Sequence, residues 1–250
     1  MATKLGSVVG YRSGIYNGYK VIGTQTLGLR GLVLWLKFNE GSGSIAKDSS
    51  FYNNHGTIYG AIWTDGKFGK APYYDGIDDY GEISDSKSIQ PGTSDYTISL
   101  WVYSYGHPSN YCGILYKGNG DWGTEDGWLI RYYSWGEVRF HMGDGTNNLG
   151  AVGVVEELPV KKWTHLAVVL DRDVGYFGYM NGNLTDSKTI DTSSNYVGGP
   201  DLHIAKDWSW SNYFFNGIID NVMIFKRALS QEEIKMLIYN RIGAIPSKTI

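Results

Sequence analysis

Apolar residues recur at every second position over several stretches of this chain. In residues 32–38, LVLWLKF, the alternation sets Leu32, Leu34, Leu36 and Phe38 on one face and Val33, Trp35 and Lys37 on the other. That period belongs to a half-buried strand. TISLWVY repeats it, with Ile98, Leu100 and Val102 opposed to Ser99, Trp101 and Tyr103. In WLIRYYSWGEVRFHM, Trp128, Ile130 and Tyr132 alternate with Leu129, Arg131 and Tyr133, a turn is expected near Trp135-Gly136, and the return strand opposes Val138, Phe140 and Met142 to Arg139 and His141. WTHLAVVLD is apolar on both parities, as in a strand covered on both faces. Asn181-Gly182 is a strong short-range hairpin signal.

One segment reads as helix. In SQEEIKMLIYN, Ser230 and Glu233 form a capping box, and Ile234, Leu237 and Ile238 fall on one face. One short helix after many strands joined by Gly-rich turns predicts a β-sandwich or barrel.

Composition narrows this. A chain of 250 residues can form one large all-β domain with a core that needs no disulfides. The single cysteine, Cys112, can form no intramolecular bridge and is expected to be buried. Net charge is −3, with Lys+Arg 22 against Asp+Glu 25 and no like-charge run, which argues against nucleic acid as a partner. Nor does any apolar run reach bilayer length, so no membrane insertion is expected. The opening residues carry no apolar stretch of the signal-peptide kind, and no export route is read from them. Residues 1–30 are rich in Gly, Ser and Tyr with weak alternation and read as an N-terminal arm; residues 241–250 read as a C-terminal tail.

Five phrases in order, LWLKFNEGSGSIAKDSSFYNNHGTIYGAIWTDGKFGKAPYYDGIDDYGEI, YTISLWVY, KKWTHLAVVLD, MNGNL and FFNGIIDNVMIFKRALSQEEIKMLI, resemble the laminin G-like, concanavalin A-like jelly-roll domains of the lectin/glucanase superfamily. The resemblance covers residues 31–240. It implies two antiparallel sheets packed face to face, and a module that binds glycan or mediates adhesion, often with one Ca²⁺ at the sandwich edge.

Asp48, Asn53 and Asn54 crowd oxygen atoms into DSSFYNNHGT, and Asp220 shares parity with Val222 and Ile224, on the core-facing side of its strand. A buried carboxylate must be paired, hydrogen-bonded or bound to metal. The resemblance implies that the Asp48 loop meets Asp220 and that Asp48, Asn53, Asn54 and Asp220 hold Ca²⁺; a metal-free hydrogen-bonded corner is the alternative. Asp75, Asp78 and Asp79 form a second acidic cluster, which reads more simply as a turn.

Trp101, Tyr103, Arg131, Tyr133, Arg139 and His141, all on the non-core parity, are expected to line a concave face. Aromatic rings there would stack on sugar, and Arg and His would bond its hydroxyls. The competing reading packs Trp101 under a loop. Trp122, Trp208 and Trp210 are expected at the rim of the same groove. His165 reads as structural, for no second histidine has metal-ligand spacing, and Asn183-Leu184-Thr185 fits a glycosylation sequon.

No catalysis is expected. The Glu-x-Asp-x-x-Glu of the hydrolase relatives is absent, Glu156 and Glu157 would point to opposite faces, and Asp171 and Asp173 fall in a turn. The alternative to a glycan-binding module is a surface or decoration subunit of a virion or other large assembly, docking on other subunits through residues 1–30.

Overall fold

The structure, a computed structural model, describes residues 14–16, 19–21, 29–108, 110–118, 126–144, 148–189, 199, 201–207 and 213–239. Within them the chain forms β1 (Gly14–Tyr16), β2 (Tyr19–Val21), β3 (Leu32–Leu36), β4 (Ile45–Ala46), β5 (Gly56–Tyr59), β6 (Ile62–Asp65), β7 (Lys70–Asp75), β8 (Tyr80–Ile83), β9 (Tyr96–Ser104) and β10 (Tyr111–Gly118). Then come β11 (Asp126–Tyr133), β12 (Val138–Asp144), β13 (Asn148–Val155), β14 (Thr164–Asp171), β15 (Gly175–Met180), β16 (Asn183–Lys188), β17 (Leu202–Ile204), β18 (Lys206–Asp207), β19 (Tyr213–Phe214), β20 (Asn216–Phe225) and α1 (Gln231–Ile238).

Two antiparallel sheets make the sandwich. The β11 sheet runs β13-β12-β11-β10-β17-β8-β5-β4. The β9 sheet runs β16-β15-β14-β9-β20-β7-β6, with β3 also paired to β20. Their inner faces supply the main core, in which Ile98, Leu100 and Val102 of β9 meet Trp128, Ile130 and Tyr132 of β11 and Val138, Phe140 and Met142 of β12. The alternation read from the sequence placed all nine. Cys112 lies in the same core, and burial pushes its thiol pKa up.

A second, smaller core explains why β14 is apolar on both parities. Leu166, Val168 and Leu170 face the sandwich interior, whereas Ala167 and Val169 lie with Ile234 and Leu237 of α1 on the outer face of the β9 sheet. The helix starts as its sequence dictates, with Ser230 Oγ accepting from the Glu233 amide at 3.3 Å and Glu233 Oε2 accepting from the Ser230 amide at 2.9 Å. Between β15 and β16, Asn181 (φ 50°) and Gly182 (φ 76°) make the two-residue turn, a conformation with positive φ at both positions that suits this pair.

Leu34, Leu36 and Phe38 of the first strand pattern face the main core as expected, but two bulges move Leu32, Val33 and Asp220 from their expected faces. Phe225 pairs with Leu32 but Ile224 with Leu34, so the register slips at Val33. Val33 therefore joins Leu34 and Leu36 in the main core, and Leu32 lies beneath the helix. In β20, Asp220 pairs with Trp101 but Met223 with Ser99, and Asn221 adopts φ 55°. One inserted residue reverses parity. Asp220 thus lies on the outer face beside Trp101, on the side opposite to that of Val222 and Ile224.

Candidate functional site

The expected glycan-binding set is divided between the sheets. Trp101 and Tyr103 belong to β9, while Arg131, Tyr133, Arg139 and His141 belong to β11 and β12 of the other sheet. Period-two alternation assigned each side chain to the non-core face, but those faces point away from each other across the sandwich. The six residues do not line one groove.

Trp101 packs under a loop. Residues 66–69, between β6 and β7, close over it: Phe68 meets its ring edge-on at 6.0 Å and Lys67 Nζ stands 4.3 Å from its centroid. His165 completes the wall at 5.3 Å, and the indole is only 5% exposed. His165 Nε2 is hydrogen-bonded to Ser99 Oγ at 2.9 Å, and burial lowers the imidazole pKa to about 3. The same loop reaches Asp220, whose Oδ2 accepts from the Phe68 amide at 2.9 Å. Its Oδ1 is buried with no hydrogen-bond partner, and burial raises the carboxyl pKa to about 7 against the pull of the Phe68, Lys67 and Asn221 amides.

Asp48 does not meet Asp220 through a shared partner. Its Oδ1 accepts from the Trp35 and Ser50 amides, both at 2.8 Å, and its Oδ2 from Ser50 Oγ at 2.6 Å and the Asn54 amide at 2.9 Å. Asn54 Nδ2 donates to Val33 O and Ser88 Oγ, and Asn53 is an exposed turn residue with φ 56°. Four donors thus reach this carboxylate, two on each oxygen, and tie the loop to β3. Asp75, Asp78 and Asp79 do bring carboxylate oxygens within 4.8 Å of one another. Asp79 Oδ2 accepts from the Asp75 amide and Asp75 Oδ1 from the Ile77 amide, the bonds of an acidic turn.

On the outer face of the β11 sheet the remaining four residues do gather. Arg131 is a brace: buried, it pairs with Asp207 Oδ2 at 2.7 Å and lies 4.4 Å over the Tyr111 ring. Tyr133 is only 4% exposed, and its hydroxyl is hydrogen-bonded to His141 Nε2 at 2.9 Å. Burial, helped by Arg131 and Arg139, lowers the His141 pKa to about 4, so its imidazole is neutral at pH 7.

The group that the sequence did not single out for binding is Trp135. It occupies the β11–β12 turn, which closes with the Tyr133 amide donating to Glu137 O and the Gly136 amide donating to Tyr133 O, both at 2.9 Å. Gly136 adopts φ 98°, and a Cβ there would stand 3.0 Å from Glu157 and 3.2 Å from His107, so the turn requires glycine. Trp135 stacks on Tyr133 with centroids 4.6 Å apart and planes 24° apart. Its Nε1 donates to Glu137 Oε2 at 2.9 Å, and Glu137 Oε1 pairs with Arg139 Nε at 2.6 Å. The indole is nevertheless 59% exposed. Its exposed-turn setting was the available signal. Trp122, Trp208 and Trp210 lie outside the described residues.

Two antiparallel sheets packed face to face, with a helix on the outer face of one of them, make this a jelly-roll sandwich. The chain belongs to the concanavalin A-like lectin/glucanases superfamily, whose profile matches residues 75–235. No curated protein sequence matches it.

Solved structures agree on the fold. The binding domain of Paraclostridial Mosquitocidal Protein 1 superposes with a TM-score of 0.69 at 20% identity, over 84% of this chain and 52% of that one. The binding domain of botulinum neurotoxin serotype G gives 0.67 at 17%, over 84% and 51%. Domain 4 of AbnA, an extracellular GH43 arabinanase from Geobacillus stearothermophilus solved with arabinotriose, gives 0.63 at 22%, over 82% and 97%. The chain thus spans about half the length of the toxin domains but nearly all of the arabinanase domain. The first two of these neighbours are binding domains, and the third was solved with a bound sugar. No helix among the described residues is long and apolar enough to cross a membrane.

Proposed function

We propose that this protein is a non-catalytic, lectin-like module that binds glycan at the Trp135 platform on the outer face of the β11 sheet. The observation that carries the reading is the indole itself, which is more than half exposed yet fixed by Tyr133 behind it and Glu137 at its Nε1. A rigid ring with one open face stacks on the C–H face of a sugar at little cost in side-chain entropy. Arg139, paired with the same Glu137, and His141, bonded to the Tyr133 hydroxyl, are the polar groups that would exchange hydrogen bonds with hydroxyls. The solved complex of the AbnA domain with arabinotriose supports a sugar as the ligand class on this fold.

A glycan-array screen followed by calorimetry tests it. Trp135→Ala should weaken binding by about tenfold or more, equivalent to about 1.4 kcal/mol, with little change in the melt. Binding indifferent to this substitution, or a wild type that takes no glycan, would overturn the proposal.

A further inference from the structure

The outer face of the β9 sheet is closed by α1 at one end and by the 66–69 loop in the middle. Beyond that loop the next cross-strand row is Ile62, Tyr73, Ile218 and Tyr103, fixed by the pairing of β6, β7, β20 and β9. Tyr105, just past β9, stands at 5.2 Å and 83° to Tyr73 and at 5.3 Å and 69° to Tyr103. Trp163 extends the cluster, 5.5 Å from Tyr103. Tyr73, Tyr103 and Trp163 are half-buried, and Tyr105 is 41% exposed.

The chemistry of this corner points to a sugar. Its aromatic rings are almost all tyrosines, whose apolar bodies and polar tips suit a partner with both characters. Mutual edge contacts hold three of them at steep angles, so the corner offers a floor and a wall without ordering cost on binding. Its rim is polar: exposed Asn216 lies opposite Asp75 in the β7–β20 pairing, and the Tyr73 hydroxyl donates to Asn216 Oδ1 at 3.4 Å. Asp75 and Asp79 also bear on Tyr73, adding to the burial that raises its pKa. That end of the corner therefore carries negative potential and disfavours an acidic ligand, while Lys161 and Lys162 adjoin Trp163 at the other end.

We propose that Tyr73, Tyr103 and Tyr105 form a second sugar-stacking site, on the sheet opposite the Trp135 platform, which accepts a neutral pyranose with equatorial hydroxyls. In such a ring the axial C–H bonds make a flat apolar face while the hydroxyls project sideways, toward Asn216 and Asp75. The site shares its ligand class with the reading above but none of its residues.

Amide NMR of the labelled full chain, titrated with cellotriose, separates the two sites. Two sets of shifts are expected, one around Trp135 and Arg139 and one around Tyr103, Tyr105 and Asn216. Tyr105→Ala should remove the second set alone, Tyr105→Phe should retain it, and Trp135→Ala should remove only the first. The proposal is overturned if the wild type shows no second set, or if that set survives Tyr105→Ala. A second set without a first would instead overturn the Trp135 platform and leave the tyrosine corner standing; no shifts at all would overturn both. Trigalacturonate that shifts the second set as strongly as cellotriose would overturn the preference for a neutral ring.

Discussion

The Phe68 amide donates to one oxygen of Asp220 at 2.9 Å, while the other oxygen is buried with no partner. Folding therefore raises this carboxyl from its ordinary 3.8 to about 7. Between those two values the folded chain holds a proton that the unfolded chain has lost, so the group's contribution to stability falls as pH rises through that window and stays low above it. Asp220→Asn keeps the shape and the acceptor but removes the charge. The variant should match wild type near pH 4 and exceed it at pH 8 by about 2–4 kcal/mol. Denaturant melts at the two pH values check this, and a variant less stable at pH 8 would contradict it.

Three histidines act in the opposite sense. His141, His165 and His203 titrate at about 4, 3 and 4 in the fold, chiefly because burial disfavours the charged ring. Below about pH 6.5 the unfolded chain takes up protons that the folded chain refuses, so stability should fall as pH drops from there toward 4. His165→Gln should flatten part of that decline in pH-dependent melts. A slope unchanged by the substitution would show that His165 is not buried neutral.

Trp101 and Trp135 should behave as opposites. Trp101→Ala empties a space walled by Phe68, Lys67 and His165 and should cost ~3–5 kcal/mol. Trp135→Ala forfeits one exposed aromatic stack and should cost only about 0.5–1.5 kcal/mol. Equal losses in parallel denaturant melts would mean that one of the two surfaces is misassigned.

Removing the Asp207 carboxylate strands a buried guanidinium. Arg131 and Asp207 pair at 2.7 Å with side chains 1% and 0% exposed, so Asp207→Ala should destabilise the fold by ~3–5 kcal/mol. Replacing both residues with apolar ones should recover part of that loss. A single mutant as stable as wild type would show that the pair is open to solvent.

Asp48 should stabilise the fold without metal. Its four hydrogen bonds join β3 to the 48–54 corner, and Asp48→Ala should cost at least ~2 kcal/mol. The loss should be the same in Ca²⁺ and in chelator. A loss that appears only in Ca²⁺ would return the site to the cation.

Much of the fold was legible because its signals are local. Asn181-Gly182 specifies its own turn, Ser230 and Glu233 specify their own cap, and the apolar faces of β9, β11 and β12 follow from spacing alone. The site was less legible, for two physical reasons. Alternation tells which side of a strand is wet but not which sheet the strand enters, so it cannot separate Trp101 and Tyr103 from Arg131, Tyr133, Arg139 and His141, which lie across the core from them. A bulge costs one residue and leaves no periodic trace, so Asn221 moved Asp220 to the opposite face unannounced. Trp135 carries no periodic signal, because Tyr133 and Glu137 come to hold it only once the turn is closed.

The place of β20 bears on how this protein comes off the ribosome. It lies between β9 on one side and β3 and β7 on the other, so a central seam of the sheet stays open until translation has passed Phe225. Until then β3, β7 and β9 each carry an unpaired edge, and the ring closures that join residue 32 to residue 225 belong to the slow, long-range kind. Nascent chains shorter than this should be sensitive to protease throughout and prone to edge-to-edge association, with folding arriving late and in a single step.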